Sequence, residues 1–265
     1  MKYPNDLPAV LTYGGGTNSS AILVELIKRG YEPPELIIFA DTGAEMPHTY
    51  AHIKIMSEYA VKHGYPAIRI VRNEQPSKNG GNIYDHCLDK RMLPGIAYGH
   101  KNCSVQFKIE PVQKHVLSVI GKNNHVRIIG YDFDEIKRAE NTKGKQYDYE
   151  HQWFPLIEWE MGRDECVKSL IDAGLPLAGK SSCFICPNMR PHEIKKMAAE
   201  YPNLMAKAID LEYAAAERRF EDGKQSGIYG LGRTWRWEDL IATDDMFGFT
   251  DLNCSTPCGC YDGDD

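Results

Sequence analysis

At 265 residues the chain can bury a substantial core, either as one large domain or as a domain with an extension. Hydrophobic residues make up 42% and charged residues 26%, and no apolar run approaches a membrane span, so the disordered and transmembrane classes are excluded. The N-terminal MKYPNDLPAVL lacks the apolar stretch and cleavage site of a secretory signal, and the formal net charge of -6 offers no general attraction for nucleic acid; a cytoplasmic protein with a small-molecule partner and no membrane is expected.

In chain order, PAVLTY reads as a strand, YGGGTNSS as a glycine loop, and SSAILVELIKRG as a helix with apolar residues at helical spacing and a terminal glycine. ELIIFADTG gives a second strand, HTYAHIKIMSEYAVKHG a second helix and AIRIVRN a third strand. This alternation predicts a doubly wound, mostly parallel sheet with helices on both faces. NEQPSKNGGN is a polar loop, and IYDHCLDKRMLPGIAYGHK has no clean period. SVQFKIEPVQKHVLSVIG reads as helix, with Pro111 near its start or breaking it. HVRIIGYDFDE returns to strand and acidic loop, WFPLIEW is one more short apolar element, and helical stretches follow around 162–173 and 191–219 before a Gly-, Asp- and Cys-rich tail. The expected division is a nucleotide-binding α/β domain over 1–160 and a helical, cysteine-containing extension over 161–265.

Ligands of an open parallel sheet bind where strands end and helices begin, which is where YGGGTNSS stands. Gly14, Gly15 and Gly16 let backbone N–H groups turn toward an anion, the helix N-terminus adds partial positive charge, and Thr17, Asn18, Ser19 and Ser20 add side-chain donors. A Walker loop is excluded because no lysine occurs between Lys2 and Lys28, and a dinucleotide fingerprint fails because Ser19 stands where its third glycine belongs. From these residues alone, a phosphate loop and a plain glycine turn fit equally.

YGGGTNSS resembles the loop of the ATP-pyrophosphatase and phosphoadenosine phosphosulfate reductase superfamily, whose pattern is Ser-Gly-Gly-x-Asp-Ser. It departs from that pattern, with Tyr13 or Gly14 where Ser is usual and Asn18 in place of Asp. FADTGAEMPHTYAHI is similar to the reductase-like segment after the second strand, where a polar residue faces the nucleotide; Asp41, Thr42 and Gly43 are its counterparts. KNCSVQFKIEPV, IGYDFDEIKRAE, FPLIEW, SSCFICPN, GLGRTWRW and PCGC follow in the family's order, and the likeness is strongest to members found in bacteriophages. The resemblance implies a HUP-like fold, an adenine nucleotide (ATP or phosphoadenosine phosphosulfate), Mg2+ in the ATP-using branch, and a homo-oligomer.

Eight cysteines in a cytoplasmic chain point to metal or redox chemistry where they cluster. Cys87 and Cys166 stand alone and read as ordinary thiols, whereas CFIC has the spacing of zinc, iron–sulfur and dithiol sites. The resemblance implies a 4Fe-4S cluster on Cys103, Cys183, Cys186 and Cys260 or Cys258, where cluster-containing reductases carry a second cysteine beside the first; zinc shares the same soft ligands. It also implies a tail thiolate, Cys258 or Cys260, attacking the phosphosulfate, with a thioredoxin-like electron donor, although the usual Glu-Cys-Gly tail motif is absent. Lys108, Arg138 and Arg233 are placed on phosphate or sulfate charge, and Asp134 and Glu135 on Mg2+ or on Arg138. DEIKR otherwise reads as a solvated loop of local ion pairs, and His48, His100 and His151 as structural or surface residues.

Three functions follow. The first is a sulfonucleotide-reducing enzyme of sulfur metabolism. The second is an ATP-pyrophosphatase that adenylates a substrate such as a nucleic-acid base for sulfur or nitrogen transfer. The third is a silent nucleotide or cluster sensor acting through a partner protein.

Overall fold

Continuous apolar runs at the start of the chain build the centre of the molecule, because strands of a parallel sheet are covered on both faces. In the computed structural model, which describes residues 1–74, 81–142, 147–223 and 227–242, β1 (Ala9–Thr12) and β2 (Leu36–Ala40) are buried almost throughout. The intervening α1 (Thr17–Lys28) is buried from Thr17 to Leu26. α2 (Pro47–Lys62) leads to β3 (Ile68–Val71), α3 (Ile83–Asp89), the short α4 (Asn102–Ser104), α5 (Glu110–Val119) and β4 (His125–Ile128). α6 (Ile136–Thr142), β5 (Glu150–Trp153), α7 (Pro155–Glu158) and α8 (Arg163–Asp172) complete the sheet layer. α9 (Pro191–Glu200), α10 (Pro202–Glu221) and α11 (Trp237–Ala242) form a helical layer beyond it.

The five strands are all parallel in the order β3-β2-β1-β4-β5, the doubly wound topology expected from the sequence. One face packs α1, α2 and α8 through Leu11, Phe39, Ile22, Met56, Ile128 and Leu170. On the other face Val112 and Val116 of α5 meet Val10, Ile38 and Ala40. The cluster that α8 shares with α1 runs across the 160/161 division expected from the sequence. A separate cluster gathers Phe107, Phe184, Met197, Leu211 and Trp237 around the C-terminal helices.

Several elements differ from the sequence reading for identifiable reasons. The stretch without period contains α3, capped by the Asn82 side chain accepting from Asp85 N–H, and a 3-10 turn over Gly95–Tyr98. Of the two places the sequence left open for Pro111, the structure has the one near a helix start. Pro111 sits in the first turn of α5, and the preceding Val105–Ile109 is π-helical, which relieves the clash its ring would make with the carbonyl four residues back. WFPLIEW is divided between the end of β5 and α7, and the 191–219 helix is broken before Pro202. Cys254, Cys258 and Cys260 lie outside the described residues. Among the described residues, no helix is long and apolar enough to cross a membrane.

Candidate functional site

β1 is hydrogen-bonded to β2 on one side and β4 on the other, so the crossovers diverge there and a crevice opens at the carboxyl ends of β1 and β4. A cleft of about 300 Å³ occupies it, with Thr12, Gly14 and Gly16 on one side and Ile129, Gly130 and Tyr131 on the other. It extends over the sheet because α5 packs on β2 and β3 and leaves β4 and β5 open on that face.

The glycine loop enters the cleft at the start of α1, whose N-cap is Gly16, a residue with no side chain to occupy the first-turn amides. Gly15 holds φ at +75°, and a Cβ there would lie 3.1–3.2 Å from Thr49, Phe39 and Ser181. Ser20 points away from the cleft and supports the loop from behind. Its hydroxyl donates to Gly16 O at 2.8 Å, so the same oxygen accepts from Tyr13 OH at 2.8 Å and His52 Nε2–H at 2.9 Å. Burial, with His48 nearby, pushes His52 down to about 4 and keeps the ring neutral. From the front, Ser181 Oγ donates to Gly14 O at 2.6 Å.

Asn18 organises the acidic side of the cleft. Its Nδ2 donates to Asp132 Oδ2 at 2.9 Å, Glu135 Oε2 at 3.2 Å and Gly130 O at 3.3 Å, while its Oδ1 accepts from Arg163 Nη1 at 3.0 Å. Carboxylates only accept and guanidinium only donates, so these partners fix the amide's orientation. Burial pushes both the Asp132 and Glu135 carboxyls above their ordinary range. Arg138 pairs with Glu135 and lies 4.6 Å from the Tyr131 ring centroid. Five cationic side chains line the cleft (Lys108, Arg127, Arg138, Arg163 and Lys180) against two acidic ones, Glu135 and Glu150. Four of these cations are ion-paired, Lys108 with Glu45, Arg127 with Glu150, Arg138 with Glu135 and Lys180 with Glu193, so the cleft offers an anion cationic side chains already held in place by carboxylates, together with the first-turn amides of α1.

Lys108 also borders a second pocket of about 20 Å³, lined by Cys103, Cys183, Cys186 and Thr42 among apolar residues. The CFIC turn reaches it because residues 182–184 pair with the backbone after β2: Met46 N–H donates to Ser182 O and Phe184 N–H to Ala44 O. Glu45 lies 3.4 Å from Lys108 Nζ and accepts from Thr42 Oγ1 at 3.1 Å. Burial, followed by the Glu45 charge, pushes the Cys183 thiol well up, and burial raises Cys186. Among the described residues, no group of three His, Cys, Asp or Glu side chains is close enough to hold one metal ion.

A family model, the phosphoadenosine phosphosulfate reductase domain, matches residues 8–172, which hold the whole sheet, the glycine loop and Asn18. The chain belongs to this reductase-domain family. Two uncharacterized proteins of Methanocaldococcus jannaschii are each 23% identical to it, over 249 and 248 residues, covering 88% and 87% of this chain and 52% and 46% of theirs. The chain thus spans about half the length of the curated relatives it matches.

Within this reductase-domain protein the residues expected at the site divide into groups. Gly14, Gly16, Thr17, Asn18, Ser19, Lys108, Glu135 and Arg138 line the cleft; Gly15 and Ser20 shape the loop without lining it. Asp41, expected beside the nucleotide, is buried, accepting from Gly43 N–H at 2.7 Å, Tyr50 OH at 2.8 Å and Arg72 Nε at 2.8 Å. Thr42 faces the cysteine pocket, and Gly43 packs against Asn82. Asp134 accepts from Arg163 N–H at 3.4 Å, outside the lining, and Arg233 bonds Asn188 Oδ1 at 2.9 Å. The sequence reading did not single out Arg127, Gln152, Arg163, Lys180 or Ser181. The one available signal was Arg127, a charge between the apolar Val126 and Ile128 of a central strand.

Proposed function

We propose that this protein is an adenine-nucleotide enzyme that grips its substrate's phosphate and sulfate groups with its own amides and cations, and that the substrate is a sulfonucleotide of the phosphoadenosine phosphosulfate type. The observation that carries the reading is the opening of α1, capped only by glycine, into a cleft lined by Lys108, Arg138, Arg163 and Lys180. Arg163 and Arg138 suit the planar, two-pronged recognition of phosphate or sulfate oxygens, and Lys108 and Lys180 act as point charges.

Mg2+ does not fit the acidic side chains as they stand. The amide nitrogen of Asn18 lies against both Asp132 and Glu135, and Arg138 pairs with Glu135, so a cation would meet donors in place of free oxygens.

The cysteines suit a soft metal centre in chemical kind, and the family resemblance implies a 4Fe-4S cluster there with Cys260 as a further ligand. Cys103, Cys183 and Cys186 share a pocket without closing to metal-binding separation.

In the reaction, a tail thiolate, Cys258 or Cys260, attacks the sulfate sulfur. The sulfur–oxygen bond to the nucleotide's phosphate breaks, and adenosine 3′,5′-bisphosphate leaves. A thioredoxin-like dithiol then supplies two electrons, releasing sulfite and regenerating the thiol. The test is anaerobic incubation with phosphoadenosine phosphosulfate, thioredoxin and reductant. Stoichiometric sulfite and adenosine 3′,5′-bisphosphate are expected, both lost in Arg163→Ala. Release of pyrophosphate from ATP and Mg2+ with no sulfite would replace this reading by the second.

A further inference from the structure

Among the described residues, Lys108 alone lines both the nucleotide cleft and the cysteine pocket. It lies in the π-helical turn Val105–Ile109, a form of helix that recurs at functional sites, and its side chain is buried although it ends in a charge. A buried ammonium needs a fixed counter-charge. Glu45 supplies it, with Oε1 3.4 Å from Lys108 Nζ.

Glu45 is itself held on several sides. Its carboxylate is fully buried, and Oε1 accepts from Thr42 Oγ1 at 3.1 Å. Its backbone forms an antiparallel bridge with Cys183, flanked by Met46 N–H donating to Ser182 O and Phe184 N–H donating to Ala44 O. Glu45 lines neither pocket, so it can act on a ligand only through Lys108. A lysine on its flexible four-carbon stem gives up rotamer freedom when it meets an anion, and a rigid carboxylate that already orders it takes that loss at folding instead. The segment FADTGAE thus reaches the cleft indirectly, since Asp41, Thr42 and Gly43 do not line it.

We infer that Glu45 is a positioning residue for the phosphate grip: it holds the Lys108 ammonium in the wall of the cleft, where a phosphate or sulfate oxygen meets it already ordered. The inference rests on the nucleotide reading above. Two arms of one experiment separate its failure from the failure of that reading.

In the first arm the full chain is titrated calorimetrically with ATP and with inorganic tripolyphosphate, as wild type, Glu45→Ala, Lys108→Ala and the double variant. Glu45→Ala is expected to bind both ligands about tenfold more weakly, the loss of one charge-assisted contact, and the double variant no more weakly than Lys108→Ala alone. Glu45→Gln, which keeps an acceptor at the same reach, is expected to recover most of the loss. Should Glu45→Ala not fold, Glu45→Asp, with its oxygens drawn back by one methylene, carries the same expectation. Wild-type affinity in Glu45→Ala, or losses that add in the double variant, overturn the inference. In the second arm, labelling with acetic anhydride is read by peptide mass spectrometry at Lys108 and Lys180. Lys108 is expected to be protected in wild type and labelled in Glu45→Ala, with Lys180 unchanged. Equal labelling of Lys108 in the two proteins overturns the inference, and so does labelling that rises alike at both lysines, which would mean that residues 179–186 had come loose. Wild type that binds neither ATP nor tripolyphosphate overturns the phosphate grip instead, and the labelling then decides the placement of Lys108 by itself.

Discussion

Asn18→Asp restores the residue usual in the superfamily loop, and here it is expected to harm the protein. The new carboxylate would stand 2.9 Å from Asp132 and 3.2 Å from Glu135 where an amide now donates to both. At an effective dielectric of 20, each like-charge contact at ~3 Å costs about 5 kcal/mol, and the attraction to Arg163, 3.0 Å away, returns about the same once. The net repulsion of about 5 kcal/mol is limited by proton uptake. Binding one proton to a carboxylate of ordinary pKa costs about 5.5 kcal/mol at pH 8 and about 1.5 kcal/mol at pH 5. The three carboxylates share a raised folded-state pKa, so the stability they leave is present at low pH and lost as pH rises through that value. Urea denaturation should therefore show a loss of roughly 1 kcal/mol at pH 5 and roughly 4–5 kcal/mol at pH 8. Added Mg2+ should restore much of the loss in the variant and leave wild type unmoved. Equal stability of the two proteins at pH 8, or stabilisation of wild type by Mg2+, would refute the assignment of Asn18 as the donor that replaces a metal.

Ser20→Ala removes the common acceptor of Tyr13 OH and His52 Nε2–H, and two unpaired buried donors should cost roughly 2–4 kcal/mol in urea denaturation; a loss under 1 kcal/mol would show that the loop holds itself. Gly15→Val places a branched side chain at φ +75° against Thr49, Phe39 and Ser181, so nucleotide binding should disappear; unchanged affinity for ATP and for phosphoadenosine phosphosulfate would sink the loop assignment. Glu212, buried while accepting from Leu231 and Trp237 N–H, is pushed up to about 7, chiefly by burial. Its contribution is full below the unfolded value of 4.5 and is lost as pH rises through 7, so wild type should lose roughly 3 kcal/mol between pH 5 and 8 relative to Glu212→Gln; parallel curves would remove the effect. If the cluster that the resemblance implies is assembled, anaerobically purified protein contains iron and acid-labile sulfide that are lost in Cys183→Ser; zinc or no metal would dismiss the cluster, in line with the separation of the described cysteines.

The elements legible in the sequence are those whose signal is local. β1, the glycine loop and α1 are readable because an apolar run, a glycine cluster and a 3.6-residue period follow one another within twenty residues. β5 was legible only in its last residue, because Glu150 and Gln152 face the cleft where an apolar pattern would be expected. α3 was hidden for another reason: seven residues are too few to establish a period, and its start is set by the Asn82 cap. The site divides the same way. Glycine-loop residues reach the cleft by local chain direction, whereas Arg163 and Lys180 arrive from more than a hundred residues downstream, carried by packing that no local pattern encodes. Asp41 shows the converse. Its motif was readable, but its carboxylate accepts from Tyr50 and from Arg72, the residue that follows β3, and Asp41 does not line the cleft.

The chain from Gly179 to Cys186 links the two halves of the candidate chemistry. Gly179, Lys180 and Ser181 line the nucleotide cleft, Ser181 holds Gly14 O, residues 182–184 pair with the segment after β2, and Cys183 and Cys186 close the second pocket. Lys180 is fixed in turn by Glu193 at 2.7 Å and Asn188 O at 3.0 Å. A disturbance at the cysteines therefore has a short covalent path to the phosphate loop, and lost activity in a cysteine variant does not by itself identify a thiol that reacts. Nucleotide affinity supplies the distinction, because the strap's backbone bonds to the segment after β2 and the Ser181 bond to Gly14 do not use the Cys183 sulfur, which adds only its contacts with Thr42 Oγ1 at 3.1 Å and Glu45 Oε1 at 3.8 Å, contacts a serine hydroxyl can also make. Cys183→Ser that loses sulfite formation but binds ATP as wild type would place the role of Cys183 in its sulfur. Parallel loss of binding would place it in holding Ser181 and Lys180 over the glycine loop.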